Sequence, residues 1–173
     1  KLPYNPETDF AWISALGAGH LPFAVPASLP VRTFREFVDY AKSNRTSIGT
    51  YAAGSMPHMI AGQLNKLYGT KIEAVHYRGE APMWTDLAAG SLHGAIGGQV
   101  PALNLVDTGK AWPVAMLAKK RPKKMPNVPT YSEQGLDGAF FRLSGYTCMV
   151  APAGLPQEIA ETYSKLCVAA GTD

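Results

Sequence analysis

The stretch Ser47–Gln99 reads SIGTYAAGSMPHMIAGQLNKLYGTKIEAVHYRGEAPMWTDLAAGSLHGAIGGQ. Its punctuation decides the fold class. Ser47–Tyr51 is a short apolar run that predicts a strand. Gly54, Ser55, Met56 and Pro57 then open a helix carrying Met59, Ile60, Leu64 and Leu67. Pro57 fits the first turn, where its missing N–H costs nothing. Lys71–His76 predicts the next strand, and Ala81–Ala89 a short helix with Pro82 near its start and Gly90 after its end. Leu92–Ile96 predicts a third strand, Gly97 and Gly98 a turn, and Val100–Val106 a further helix. Strands alternating with helices of about ten residues imply βαβ units and a largely parallel sheet. Short apolar strands without clean alternation imply that the sheet is covered on both faces.

The same grammar extends outward. Leu21–Val25, bounded by Pro26, predicts a strand. Thr33–Ala41 predicts a helix, because Phe34, Phe37, Val38 and Ala41 share helical spacing and Thr33 with Glu36 forms a capping box. Downstream, Trp112–Ala118 predicts a strand, Tyr131–Gln134 a helical turn, Tyr146–Ala151 a strand and Gln157–Ala169 a last helix. One echo stands out: Phe23–Pro30 reads FAVPASLP and Met149–Pro156 reads MVAPAGLP. Turn chemistry repeated by coincidence is one reading; a pseudo-symmetric pair of crossing strands, each leading into a helix, is the sharper one.

Composition narrows the function classes. The 173 residues are 46% hydrophobic, too apolar for a disordered tail, and only 17% charged. No apolar run approaches the about 18 residues a membrane span needs. With 17 Gly and 14 Pro, the chain is cut into many short elements, which excludes a long-helix bundle. The net charge of +3 is concentrated in Lys119, Lys120, Arg121, Lys123 and Lys124. Pro122 and Pro126 interrupt that cluster and no aromatic interleaves it, so it reads as a solvated loop and not as a nucleic-acid surface. Cys148 and Cys167 form no CxxC and have no zinc-ligand spacing. Cys148, in an apolar run, is expected to pack as a small core residue. A disulfide between the two requires an extracytoplasmic setting and close Cα atoms, and sequence leaves it open. The chain begins at Lys1 without an initiator Met or a signal peptide, and LPYNPETDF after it reads as an interior loop, so a piece of a longer protein is expected.

The chemistry collects in three turns. Ala52–His58 (AAGSMPH) leaves a strand and opens a helix, and free N–H groups at a helix N-terminus favour an anion. The GxxxxGK[ST] spacing of a P-loop is missing, so a carboxylate fits better than a nucleotide. Ser55 reads either as a ligand contact or as the helix cap, and the two are compatible. His76–Glu80 (HYRGE) offers an aromatic wall in Tyr77, a planar carboxylate-matching fork in Arg78 and close backbone approach at Gly79. Arg78 reads equally as a solvated loop residue. Ile96–Gln99 (IGGQ) adds Gly98 and Gln99, whose amide both donates and accepts. All three turns follow consecutive strands, and ligands of open α/β sheets bind outside strand carboxyl ends. A hydrolase built on Ser55 and His58 lacks an acidic partner, an oxyanion motif and a G-x-S-x-G. No paired carboxylates, metal-ligand cluster or cofactor fingerprint stands in these turns. They hold a ligand; they supply no catalyst.

At these residues the sequence resembles the tripartite tricarboxylate transporter (TTT) substrate-binding receptors, the Bug receptors. The matching stretches include LPYNPETDF, LPVRTFREFVDYAKSN, the G-S-x-P-H of Gly54–His58, the Y-[KR]-G of Tyr77–Gly79 with Ala81-Pro82 after it, VPTYSEQG from Val128, and APAGLP from Ala151. The resemblance implies an α/β fold: a lobe like those of type II periplasmic binding proteins, with a mostly parallel sheet, helices on both faces and two crossing hinge strands. It implies that residues 1–20 are the end of lobe 1 and the approach to the hinge. Residues 21–151 would be lobe 2 with both crossing strands, at Leu21–Val25 and Tyr146–Ala151. Residues 152–173 would be a helix returning toward lobe 1, whose N-terminal part and C-terminal end lie outside the sequence. It further implies a periplasmic, non-enzymatic receptor without cofactor or metal, with a signal peptide in the complete protein. Such a receptor captures a small carboxylate in an interlobe cleft and delivers it to membrane permease subunits. It has no nucleic-acid partner and no direct membrane insertion. By position the ligand wall would be Gly54, Ser55, Tyr77, Arg78, Gly79, Gly98 and Gln99, with His58 supporting the loop. A ligand-sensing module in signalling or regulation would use the same fold. Three departures stand out: His93 where the family often has Asp, Arg78 where Lys is common, and Glu80 where a second Gly is usual. Glu80 would put a carboxylate near the cleft mouth and allow a ligand with a positive or hydrogen-bond-donating group, with an aspartate-like or aromatic carboxylate left open.

Overall fold

In a computed structural model, which describes residues 2–143 and 145–171, the chain runs β1 (Phe10–Gly19), β2 (Leu21–Pro26), α1 (Phe34–Ser43), β3 (Ser47–Thr50), α2 (Met56–Tyr68), β4 (Glu73–His76) and α3 (Glu80–Ala88). It continues through β5 (Gly94–Ile96), α4 (Gln99–Asp107), β6 (Ala111–Leu117), two 3₁₀ turns at Ser132–Gln134 and Ala139–Arg142, β7 (Gly145–Pro152) and α5 (Gln157–Ala170). Each strand and helix predicted from Leu21 onward is present within a few residues. The chain divides into two units: His20–Ser144, and Lys1–Gly19 with Gly145–Asp173.

The larger unit is built on a five-stranded sheet in the order β4-β3-β5-β2-β6. β3 pairs parallel with β4 and β5, while β2 is antiparallel to both β5 and β6. Four strands therefore run one way and β2 runs against them. Helices cover both faces. Phe23 and Val25 of β2 point into one cluster with Phe34 and Phe37 of α1 and Ile60 and Leu64 of α2. The Phe23 and Phe37 rings meet edge to face at 4.7 Å. Ala24, between them, points to the other face, where Met83, Trp84 and Leu87 of α3 and Ala102 of α4 pack. α1 begins where its capping box predicts: the Glu36 N–H donates to Thr33 Oγ1, and the Glu36 carboxylate accepts from the Thr33 N–H.

The basic segment is anchored and not merely solvated. Pro122, Met125 and Val128 are buried, and the chain forms a parallel bridge between Met116 and Thr130. Arg121 donates through Nε to Glu133 at 3.0 Å and through a terminal nitrogen to the Pro126 carbonyl. The Thr130 N–H, with Arg121 beside it, holds the Glu133 carboxyl below the usual range. The four lysines of the segment remain exposed.

In the smaller unit β7, read as the second crossing strand, pairs antiparallel with β1, while Leu21–Val25, read as the first, lies in the sheet of the larger unit. β2 sits between β5 and β6 with Phe23, Ala24 and Val25 fully buried, the burial of a strand inside a sheet. The echoed motifs are thus two strand–turn–helix units in different sheets. β1 itself has no counterpart in the sequence reading: FAWISALGAG is rich in Ala and Gly, and its register shifts between Trp12 and Ser14 and between Ala15 and Gly17 break the alternation that marks a strand. α5 packs on β1 and buries no side chain completely. Cys148 and Cys167 are both free and half-buried, so Cys148 is not the core residue expected. Cys167 Sγ lies 3.9 Å from Met149 Sδ.

Candidate functional site

Because β3, β4 and β5 are parallel, their carboxyl ends share one sheet edge, and there the chain starts α2, α3 and α4. Hydrogen bonds tie the three predicted turns together. The Tyr77 N–H donates to the Thr50 carbonyl at 2.8 Å and the Gly79 N–H to the Tyr51 carbonyl at 3.3 Å. Thr50 Oγ1 and His76 Nδ1 are 2.7 Å apart. The Glu80 carboxylate, at the start of α3, accepts the Gly98 N–H at the start of α4 at 2.8 and 2.9 Å.

In the first turn, Ser55 is the N-cap of α2 by backbone conformation, yet its side chain makes no capping bond. Its hydroxyl instead donates back to the Ala52 carbonyl at 2.6 Å. Gly54 takes φ +76, and its N–H donates to His58 Nδ1 at 2.9 Å. His58 also meets His76 edge to face, with ring centroids 4.5 Å apart. His58 therefore ties the glycine turn to its own helix and rests on the neighbouring strand end. Ser55 and His58 each spend these atoms on the loop's backbone, so those bonds form no Ser–His proton path.

In the second turn, the Tyr77 hydroxyl donates to Asp86 on α3 at 2.7 Å. Burial, then that bond and the Asp86 charge, push its pKa up to about 12. The Tyr77 ring packs against the α3–α4 cluster. Arg78 is exposed, and Gly79 takes φ +103, a backbone that favours glycine, to cap α3.

The third turn departs from expectation. Gly98 caps α4, but its N–H belongs to Glu80, and Trp84 Nε1 donates to the same carboxylate at 3.3 Å. A Cβ on Gly98 would stand 2.9 Å from Glu80 Oε2, while one on Gly97 would first meet Met83 Cε at 2.9 Å and Trp84 Cζ2 at 3.1 Å. Gly98 therefore makes room for Glu80. Glu80 is half-buried in the floor of the edge and not loose at its mouth. Gln99 opens α4, and its Nε2 is buried without a hydrogen-bond partner. Burial, with the Glu80 charge behind it, raises the Tyr51 hydroxyl pKa. His93 lies at the other end of the sheet, bonding the Ser47 N–H and hydroxyl at the start of β3. The sequence reading missed Thr50, Tyr51 and Asp86, which brace the turns from positions outside any motif.

Gly54, Arg78 and Gly79 are exposed, and the remaining predicted site residues are half-buried, so the edge is an open wall. Cavities of ≈ 520 and ≈ 560 Å³ elsewhere include none of them. Among the described residues, no group of three or more His, Cys, Asp or Glu side chains could hold a metal ion, and no helix is long and apolar enough to cross a membrane.

Residues 1–170 match the sequence profile of the tripartite tricarboxylate transporter family receptors. The chain belongs to that family. A UPF0065 protein in the TAR-I ttuE-ttuC' intergenic region of Agrobacterium vitis is 29% identical over 167 residues, covering 95% of this chain and 48% of that protein. R. palustris Rpa4515, solved with adipate, is 31% identical with a TM-score of 0.87, covering 98% of this chain and 56% of that one. MatC from Rhodopseudomonas palustris, solved with bound malate, is 25% identical with a TM-score of 0.85, covering 100% of this chain and 58% of that one. The chain spans about half the length of the curated relatives it matches. Family membership agrees with the turns on the sheet edge, which assemble polar contacts.

Proposed function

We propose that this receptor-family chain forms one wall of a periplasmic solute receptor that captures a small carboxylate-bearing metabolite and delivers it to a tripartite membrane permease. One observation carries the reading. The N-terminus of α2 is not capped by its own Ser55, while the exposed Arg78 stands on the adjoining turn. Backbone amides with a helix dipole behind them, beside a guanidinium fork, make a seat for a carboxylate. Gly54 and Ser55, whose own N–H groups go to His58 and to the Ala52 carbonyl, would shape the turn that presents the start of α2, with Arg78 the charge and Tyr77 and Gly79 the adjoining wall. Gln99 would offer its unpaired amide, and His58 would hold the turn. The adipate and malate in two relatives support a carboxylate as the ligand class. Residues 20–144 would be the second lobe, and β1, β7 and α5 the connection toward the first.

The test is mass spectrometry of the full-length protein, purified natively and then denatured. A small carboxylate released in stoichiometric amount supports the reading. A protein that releases none, and whose melting temperature no carboxylate in a library raises, would sink it.

A further inference from the structure

Glu80 is a carboxylate built into the wall just described, and its surroundings fix it there. Both of its oxygens face the Gly98 N–H, at 2.8 and 2.9 Å, and the nearly buried Trp84 clamps it through Nε1 at 3.3 Å. Gly98 leaves the space the carboxylate occupies, since a Cβ there would press on it. The amide turn at the start of α4 is therefore already filled by an anion of the chain's own. A carboxylate has roughly four acceptor sites, and Gly98 with Trp84 supplies two donors, so Glu80 retains the capacity to accept from a ligand. Its charge reaches across the wall to Tyr51, in the turn after β3, whose hydroxyl is harder to ionise partly because of it.

We propose that Glu80 sets the ligand's second end. The site would take a carboxylate whose far end is an ammonium or a hydroxyl, and disfavour a dicarboxylate, whose second charge would meet Glu80. This rests on the receptor reading above. It also separates this chain from its two solved relatives, because adipate and malate are both dicarboxylates. Two like charges a few ångströms apart in a partly desolvated site cost on the order of a tenfold or larger loss of affinity.

The experiment is calorimetric titration of the full-length protein with matched acids of about three to six carbons. Each set holds an ω-amino acid, an ω-hydroxy acid and the dicarboxylate, as with 6-aminohexanoate, 6-hydroxyhexanoate and adipate. The wild type is expected to prefer the amino or hydroxy acid. Glu80→Gln keeps an acceptor for the Gly98 N–H and removes the charge; it should shift the ratio toward the dicarboxylate by roughly tenfold or more. Glu80→Asp, which keeps the charge, should retain the wild-type order. A merely structural role for Glu80 would change all affinities together and leave the ratio alone. Carboxylates that bind with an unchanged ratio in Glu80→Gln, or a wild type that takes the dicarboxylate most tightly, overturn this inference and leave the receptor reading standing. A wild type that binds no carboxylate overturns both. If Glu80→Gln does not fold, the wild-type order decides alone.

Discussion

Two helix starts on one sheet edge solve the same electrostatic problem in opposite ways. The first turn of a helix leaves N–H groups without intrahelical partners and a partial positive charge. At α4 the chain answers from within: the Gly98 N–H goes to Glu80. At α2 it does not: Ser55 turns its hydroxyl back to Ala52, and His58 takes up only the Gly54 N–H. A filled turn and a turn without a side-chain cap thus stand side by side, and the difference locates where an outside anion can still contribute. It also separates two reasons for glycine. Gly54 needs its φ of +76, and a Cβ there would have no neighbour within 4 Å, whereas Gly98 has an ordinary φ of −59 and no room for a side chain.

The largest expected effect breaks the open side of this comparison. Arg78→Ala should weaken binding of the native carboxylate by roughly ten- to a hundredfold, the range of a charge-assisted hydrogen bond. Its stability should change by less than about 0.5 kcal/mol, as for an exposed residue. Titration calorimetry and thermal melts on the same preparation check both. An unchanged affinity would move the ligand charge away from this turn.

Next comes the filled side. Gly98→Ala places a Cβ 2.9 Å from Glu80 Oε2, and overpacking of that kind costs about 1–3 kcal/mol. In Glu80→Gly the space is empty, so adding Gly98→Ala there should cost much less. Urea unfolding of the four proteins gives the coupling directly. Additive losses would mean that Gly98 is small for a reason other than Glu80. A smaller effect is expected at the open turn: Gly54→Ala meets no neighbour but must hold a left-handed backbone, at about 1–2 kcal/mol. Its cost should not depend on residue 80.

The sequence spoke clearly wherever an element carries its own signal. Thr33 and Glu36 predicted the start of α1 to the residue, because a capping box is local chemistry. The three turns were legible because Gly and Pro mark strand-to-helix junctions, and parallel strands bring those junctions to one edge. What stayed hidden is what depends on a distant partner. β1 is a strand only because β7 pairs with it, through two register shifts and a run of small residues. Glu80 looked like a loose charge at the mouth of the site, because sequence does not show that Gly98, eighteen positions on, donates to it. Nor does the sequence show that the Tyr77 hydroxyl is held by Asp86, on the next helix.

That last point gives the smallest effect and the sharpest check on what the wall presents. Tyr77→Phe removes the bond to Asp86 and should cost about 1 kcal/mol near neutral pH. Ligand affinity should stay within about threefold, since the lost hydroxyl was already engaged. The cost should also depend on pH. The folded protein holds the Tyr77 proton more tightly than the unfolded chain, with a pKa of about 12 against 10.0. This contribution is therefore complete below pH 10.0 and drains away as pH rises toward about 12. The stability gap between wild type and Tyr77→Phe should narrow over that window, while other tyrosines and the lysines cancel in the difference. A gap that stays constant with pH, together with a large loss of ligand affinity, would mean that the hydroxyl points at the ligand. The aromatic residue of the second turn would then belong with the open side of the edge and not with its frame.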